Sequence, residues 1–396
     1  MKRGRIGRWG MWAAVLAAAS AWADGLRNPP EGAAALGRSG MRLTQGDDAT
    51  AITHNPANLM DLKRQEVVAA ATIGYSRKTL TTPEGFSEET DDPWVILPAV
   101  YAAWPLKGGQ YMAGLGLNVP YGQTSAWKED GLLKGRAADY GQIRTVNANP
   151  TLALRANPNL TLGAGLNALW SDLTTKQWLP GPGGLARATF EGEGWAYGAN
   201  VGLTWTPARG QRLAATYRSS MALDFDGDLS LRGAPAAQDA ELQGVEFPAV
   251  VGLGYGVEVS ADLRLEANAE WVQHSANGTW ELISATGRAP LPQDWDDTWT
   301  FGLGADWRVN SAWTLRGGWT YLPTPIPDET LVPVMAENDK HILALGVGYR
   351  KGRQALDLAY AYNLEDDRAI AAPGQPSGGQ YEFDAHLASV SYALSF

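Results

Sequence analysis

Residues 299–308 read WTFGLGADWR, and the alternation within this stretch decides the fold of the chain. Every second residue is apolar, and the apolar set is Trp299, Phe301, Leu303, Ala305 and Trp307. The residues between them are small, polar or charged. Successive side chains of a β-strand point to opposite faces, so this stretch has one apolar face and one polar face. Such alternation over about ten residues is typical of a strand that crosses a membrane in a barrel, with lipid outside and a polar lumen inside.

The same alternation recurs along the rest of the chain. It marks fourteen segments, at residues 66–77, 94–104, 110–121, 140–154, 160–174, 194–205, 211–223, 247–258, 263–275, 299–309, 313–322, 340–350, 355–364 and 382–396. The count is even, as bacterial barrels of antiparallel strands require. In the first four segments, small residues make the two faces less distinct. The pattern predicts an all-β fold, a 14-stranded antiparallel transmembrane β-barrel over residues 63–396.

The connections between these segments support a barrel independently. Short connections rich in Gly, Asn, Pro and Asp alternate with long ones; the short ones cover residues 106–109, 155–159, 206–210, 259–262, 310–312 and 351–354. In outer-membrane barrels the short turns face the periplasm and the long loops face outward. A soluble β-sandwich gives no reason for this parity. We therefore expect a multi-pass integral protein of the bacterial outer membrane, with outer-membrane lipid around it.

The N-terminus has the pattern of a secretory signal peptide. Four basic residues precede an uncharged, Ala-rich stretch, and Ala21-Trp22-Ala23 is a small-x-small cleavage site, so we predict a signal peptide over residues 1–23. The chain has a formal net charge of −10, and loss of the four basic residues with the leader leaves −14. That balance argues against a nucleic-acid partner. The chain has no cysteine, which argues against disulfide frameworks and thiol chemistry.

Residues 24–62 do not alternate and contain many small residues. Asp47-Asp48-Ala49-Thr50 offers helix N-capping residues, and a proline follows Asn55, which should end or redirect the chain. A barrel of fourteen strands would otherwise enclose an open channel. We expect residues 24–62 to form an N-terminal hatch, a plug inside the lumen. A periplasmic tail is the alternative reading of this segment.

Several short motifs, taken in order, resemble one known family. They are Leu36-Gly37-Arg38-Ser39-Gly40, Asp47-Asp48-Ala49-Thr50, Asn55-Pro56-Ala57-Asn58-Leu59, Asn118-Val119-Pro120-Tyr121-Gly122, Tyr217-Arg218-Ser219 and the stretch from Pro323 to Asp328. In this order they resemble the FadL/TodX family of outer-membrane transporters for long-chain fatty acids and other hydrophobic compounds. The resemblance implies a fourteen-stranded barrel plugged by a hatch that carries Asn55, Pro56 and Ala57. The third and fourth external loops, around residues 175–193 and 224–246, look short for a fatty-acid transporter, which leaves open whether the cargo is a fatty acid or an aromatic or aliphatic hydrocarbon.

The third predicted strand carries a proline and a glycine near its end. Pro120 cannot donate a ladder hydrogen bond and Gly122 weakens a strand, so a bulge or gap is expected near Asn118, Pro120 and Gly122. The resemblance implies that a kink here opens a lateral exit through the wall, by which solute diffuses into the membrane. A strand that simply ends at the external rim is the alternative.

Binding of a hydrophobic cargo needs an apolar surface on the external segments. Trp178, Leu179, Leu185, Leu229 and Leu231 are candidates for this catchment, unless the loops only pack on each other. The carboxylate of a fatty acid would also need an unpaired lumen cation. We predict that most inward-facing charges pair with each other, and that Arg218 and Arg316 are the candidates for this role. A neutral hydrocarbon would need neither.

Other classes of function find less support in the sequence. The four histidines are scattered, and no metal-ligand spacing or nucleotide-binding motif is present, so we predict no enzyme, no cofactor and no metal. A general diffusion porin is an alternative function, and an outer-membrane lipid-modifying enzyme using His274-Ser275 is a more remote one. The last residue, Phe396, lies on an outward face and resembles the end recognised by the barrel-assembly machinery.

Overall fold

A computed structural model describes residues 24–181, 183–234, 236–371 and 377–396. The predicted signal peptide lies outside these residues. Fourteen strands make the wall of a barrel: β1 Glu66–Thr81, β2 Trp94–Leu106, β3 Tyr111–Asn118, β4 Ala138–Asn157, β5 Leu160–Gly181, β6 Gly184–Ala208, β7 Gln211–Arg218, β8 Val250–Glu258, β9 Leu263–Val272, β10 Thr298–Arg308, β11 Trp313–Leu322, β12 Lys340–Lys351, β13 Gln354–Glu365 and β14 Gly379–Ser395.

Each wall strand pairs antiparallel with its neighbours in the chain, and the last strand pairs with the first. Every residue of β1 has a partner in β14, from Glu66↔Ser395 to Thr81↔Gln380. The barrel is therefore closed, and the predicted 14-stranded antiparallel fold is confirmed. The faces follow the alternation as well. In β10, for example, Trp299, Phe301 and Leu303 are exposed on the outer face while the residues between them are buried.

Seven further strands complete the sheet: Ser87–Glu89, Gly122–Ala126, Met221–Leu231, Gln238–Phe247, Thr279–Ser284, Gly287–Pro292 and Arg368–Ile370. They belong to the long connections between wall strands, which face outward in bacterial barrels. Part of this region differs from the sequence-based expectation. Residues 175–193, expected as an external loop, continue the β5–β6 ladder, and Trp178 pairs with Arg187. Above the membrane neither face of a hairpin meets lipid, so the alternation that marks a spanning strand is lost there.

Two segments that were expected to be continuous strands are interrupted. The segment expected at 211–223 is interrupted, because β7 ends at Arg218 and the next strand begins at Met221. The segment expected at 247–258 likewise begins only at Val250, after a separate strand that ends at Phe247. Both interruptions lie at the same level of the wall, because Arg218 pairs with Val250.

The helices are short. Two α-helices, Ala33–Leu36 and Ala51–His54, lie before the barrel, and four 3-10 helices cover Pro56–Asp61, Lys107–Gly109, His274–Ala276 and Pro333–Met335. The first of these, Ala33–Leu36, is a single turn. Asn55 ends the second helix in extended conformation and its side chain caps the 3-10 helix that follows, as the proline at position 56 suggested. In the described residues, no helix has the length and apolar character needed to cross a membrane.

Residues 24–62 contact the inner face of the wall on several sides. Ala33–Leu36 packs against β12, β13 and β14, whereas Pro56–Asp61 packs against β4, β5 and β6. Thr44 donates its hydroxyl to Glu266 of β9 at 2.6 Å, and Asn200 of β6 donates its amide to the carbonyl of Ile52 at 3.1 Å. The wall strands carry glycine where this segment approaches most closely. A Cβ at Gly163 or Gly318 would collide with the backbone at Pro56 or Arg38, respectively.

Candidate functional site

The third wall strand is interrupted near its external end. β3 ends at Asn118, and the chain resumes pairing with β4 only at Gly122. The ladder between β2 and β3 reaches no further than Val100↔Leu117, so the part of β2 before Val100 has no ladder partner on that side among the described residues. The cause is local, because Pro120 has no N–H to donate to a ladder. The structure thus places Asn118 and Pro120 at a gap in the wall.

The start of the N-terminal segment covers this gap from inside. The N–H of Asn28 donates to the carbonyl of Pro120 at 3.0 Å, and the N–H of Gly122 donates to the carbonyl of Leu26 at 2.9 Å. The amide of Asn28 also donates to the carbonyl of Val119 at 2.9 Å. Residues 26–28 therefore act as a short partner strand for the kinked segment and satisfy backbone groups that the wall leaves open.

Apolar contacts close the gap further. Val119 packs against Val95 and Leu97, which are buried residues in the part of β2 that lacks a partner on the β3 side. Just below, Asn118 donates its amide to the carboxylate of Glu31 at 2.6 Å. A few side chains, rather than a continuous ladder, therefore separate the lumen from the membrane at this point.

A cavity of about 130 Å³ lies beside the gap, between the N-terminal segment and the wall. Its lining includes Glu31, His54, Pro120, Tyr121 and Arg218. Burial lowers the pKa of His54, and the nearby Glu31 carboxylate only partly opposes this shift. The cavity is thus lined by both apolar and ionisable groups.

A network of buried charges borders the same cavity. Arg27 bonds to Asp24 at 2.8 Å and to Glu270 at 2.9 Å, and His274 lies 3.0 Å from the other oxygen of Asp24. Burial alone would raise the pKa of the Asp24 carboxyl, but the charges of His274 and Arg27 bring it down to about 2. His274, considered above for lipid chemistry, is therefore engaged in a structural contact.

The two candidate cations have different surroundings. The Arg218 guanidinium donates to the Asn167 side chain at 3.1 Å and to the carbonyl of Thr53 at 3.0 Å. Among the described residues no carboxylate lies within 4.0 Å of it. Arg316, in contrast, is buried and bonds to Asp306 at 3.1 Å and to Asp357 at 2.7 Å. Of these two arginines, Arg218 borders the cavity and has no carboxylate next to it, whereas Arg316 does neither.

Several other lumen charges pair as expected, but with partners that sequence reasoning missed. Arg212 of β7 pairs with Asp61 at 2.8 Å, and Glu270 of β9 pairs with Arg27. In both pairs one member belongs to the N-terminal segment. No periodicity places residues 24–62 against particular strands, so these pairs could not be predicted from the residue pattern.

The five predicted catchment residues have different surroundings. Trp178 donates its indole N–H to the carbonyl of Glu129 at 2.8 Å, and the Lys134 ammonium lies 4.6 Å from its ring. Leu229 packs against the apolar cluster described below. The remaining three, Leu179, Leu185 and Leu231, are between 38 and 45% exposed.

A large apolar cluster fills the external half of the lumen and was not predicted. It includes Leu26, Tyr121, Trp127, Leu169, Phe190, Met221, Leu223, Phe225, Phe247, Trp280, Val334 and Met335. Tyr121, beside the gap in β3, stacks on Phe247 with ring centroids 4.5 Å apart. A signal for part of the cluster existed, because the large apolar residues Met221, Leu223 and Phe225 alternate with small or polar ones and are buried.

Two further sequence features can be placed. The backbone N–H of Phe396 donates to the carbonyl of Gln65 at 2.9 Å, and its ring is exposed on the outer surface. In the part of the chain that the structure describes, no group of three or more His, Cys, Asp or Glu side chains could hold a metal ion.

Comparison with known proteins gives a consistent result. Residues 14–396 match the model of the family described as "Outer membrane protein transport protein (OMPP1/FadL/TodX)". The long-chain fatty acid transport protein of Escherichia coli K12 is 23% identical over 442 aligned positions, which cover 97% of this chain and 96% of that protein. The 47 kDa outer membrane protein of Pasteurella multocida is 23% identical and covers 87% of this chain and 88% of its own length.

Solved structures share the fold. A FadL homologue of Pseudomonas aeruginosa superposes with a TM-score of 0.81 at 21% identity, covering 94% of this chain and 100% of the other. The P. putida toluene transporter TodX superposes with a TM-score of 0.77 at 18% identity, covering 92% of this chain and 98% of the other. At these identities the likeness concerns the fold.

Proposed function

The chain belongs to the OMPP1/FadL/TodX family of outer-membrane transport proteins, and from that premise we propose that it is a channel for passive uptake of hydrophobic small molecules. Residues 24–62 act as the hatch that plugs the barrel. The cargo enters from the outside, reaches the cavity beside the hatch, and leaves laterally through the gap in β3. Two relatives are named for a long-chain fatty acid and for toluene, which sets the range of cargo to be tested.

The interruption of β3 and its cover of residues 26–28 carry this proposal. Backbone N–H and C=O groups that face lipid without partners are costly, so barrels seldom leave a ladder open. Here the kinked segment finds its partners in the N-terminal segment, which belongs to the hatch and not to the wall. A displacement of residues 26–28 would free the segment around Pro120 and connect the cavity with the membrane.

Arg218 supports an anionic amphiphile as cargo, because it borders the cavity without an adjacent carboxylate. A carboxylate that replaces the Thr53 carbonyl as acceptor would pair an anion with the guanidinium, and such a bond between two charged groups is stronger than one to a neutral carbonyl. Arg316 is less suited to this role, since two carboxylates already occupy it. The apolar cluster above the cavity would contact the hydrocarbon part of the same molecule.

Substitution of Gly122 by Trp tests the exit. The larger side chain should fill the gap and abolish uptake of labelled oleate in cells that lack their own fatty-acid transporter. Gly183→Trp is the matched control, because a Cβ at Gly183 meets no atom within 4 Å. Both variants must reach the outer membrane as folded barrels. Normal oleate uptake by a folded Gly122→Trp protein would refute the lateral exit.

A further inference from the structure

The wall contains a second interruption, between β6 and β7. The periplasmic part of β6, from Asn200 to its end, pairs with β7, beginning at Asn200↔Arg218. The external part of β6, up to Glu193, pairs with the strand Met221–Leu231, and the last pair is Glu193↔Asp226. Residues 194–199 have no ladder partner on this side among the described residues. Ser219 bridges only the lowest of them, because its N–H donates to the carbonyl of Ala199 at 2.9 Å.

The two interruptions lie at the same depth in the membrane. β3 and β7 are each eight residues long, shorter than every other wall strand, and each follows a short turn. From the first to the last residue, a strand of eight residues is roughly 24 Å long. At a strand tilt near 40° this length spans about 18 Å along the membrane normal. The hydrophobic band is about 25 Å high, so both strands break in its external part.

The same cavity borders both interruptions. Its lining includes Pro120 and Tyr121 from the gap in β3, and Asn200, Arg218 and Val250 from the base of the second one. The two sites also touch directly, because Tyr121 stacks on Phe247, just before the point where β8 begins. One internal space thus adjoins two breaks in the wall.

Close contacts with the strand that begins at Met221, and not ladder pairs, close the second interruption. The strand beginning at Met221 passes behind β6 on the lumen side, where β6 carries Gly194 and Gly198. A Cβ at Gly198 would lie 2.6 Å from Cγ of Met221. One at Gly194 would lie 2.4 Å from the carbonyl oxygen of Asp224 and 2.7 Å from Cδ1 of Leu223. On the outer face Trp195 and Tyr197 are 55% and 71% exposed. Residues 194–198 have no ladder pair with this strand, so the two can separate by movement of the Met221 and Leu223 side chains and of the chain at Asp224, without breaking ladder pairs between them.

We propose that the β6–β7 interruption is a second lateral gate, through which hydrophobic solute exchanges between the cavity beside Arg218 and the external leaflet of the membrane. The inference rests on the proposed uptake function and adds a second passage to it. Met221 and Leu223 are the gate side chains, and Gly194 and Gly198 provide the space into which they fit. A cargo dissolved in the membrane could then reach the cavity without passing the external loops.

A reversible cross-link tests this gate, and the chain is suited to it because it has no cysteine. In Gly198→Cys/Met221→Cys the two Cβ atoms lie within about 4 Å of each other, which a disulfide requires. Oxidation should reduce the initial rate of oleate uptake several-fold, and dithiothreitol should restore it. Leu162→Cys/Leu203→Cys is the matched control, since these residues pair directly across the intact β5–β6 ladder. Equal uptake in the oxidised and reduced states of the gate pair would overturn the proposal.

A second variant keeps the test decisive if the gate pair does not cross-link. A bimane label on Met221→Cys should be quenched by brominated lipid when oleate is added, whereas absence of quenching would overturn the gate.

The proposed function and the proposed second gate would fail in different ways. If the unmodified protein takes up neither oleate nor toluene, the proposed function is wrong. If it takes them up and only the gate pair is insensitive to oxidation, the second gate alone is wrong.

Discussion

Replacement of Asn28 by Ala should speed uptake, because it weakens the cover of the gap in β3. The substitution removes the bond from the Asn28 amide to the carbonyl of Val119, which is 2.9 Å long and partly buried. It leaves the backbone bond from Asn28 to Pro120 in place. A neutral hydrogen bond contributes about 1 kcal/mol, and since 1.4 kcal/mol is a factor of ten, the open population should rise about fivefold.

The assay is the initial rate of uptake of labelled oleate at low concentration, where opening of the gap limits the rate. Asn338→Ala is the matched control, because it removes a similar bond from an amide to the carbonyl of Asp366, 3.0 Å long, in an external loop. We expect an increase of up to about fivefold for Asn28→Ala and no change for the control. An unchanged or lower rate for a folded Asn28→Ala barrel would show that residues 26–28 do not limit passage.

Three further predictions concern the cargo, the external loops and the plug. Arg218→Met should weaken oleate binding about tenfold, by loss of a charge-assisted bond, and leave toluene uptake unchanged; equal effects on both would remove Arg218 from the site. Burial raises the pKa of Glu337 to about 7, although the Lys340 ammonium opposes the shift. The protonated Glu337 side chain therefore contributes fully to the stability of the fold below about pH 4.5, and this contribution disappears as the pH rises through 7. Thermal unfolding should therefore depend less on pH in Glu337→Gln, and an identical dependence in both proteins would contradict this assignment. In planar bilayers the protein should pass little steady ionic current, because the proposed hatch of residues 24–62 would plug the lumen, whereas the conductance of an open pore would favour a general diffusion porin.

The wall was predictable because the membrane imposes a simple rule on it. Each spanning residue faces either lipid or lumen, so β10 and β11 could be bounded almost to the residue from alternation alone. Above the membrane this rule no longer applies. The parts of β5 after residue 174 and of β6 before residue 194 therefore carried no periodic signal of their own.

The site was predictable only in part, since its decisive contacts join distant parts of the chain. The proline at position 120 signalled an interruption, because the missing N–H is a property of that residue alone. The contrast between Arg218 and Arg316 had no such local cause. Arg316 is neutralised by Asp357, 41 residues later, while Arg218 meets the carbonyl of Thr53, 165 residues earlier.

The seam between β1 and β14 has a consequence for the order in which the molecule is built. Glu66 pairs with Ser395, so the cylinder cannot shut until the last strand is in place. Bringing such remote segments together carries a chain-closure entropy cost of roughly 5 kcal/mol, which favours late formation of this contact. Residues 24–62 precede β1, and their contacts with β12, β13 and β14 lie on the inside of the finished seam. The strands must therefore curl around this segment during insertion, and a segment left outside at that moment would have to thread through a closed wall.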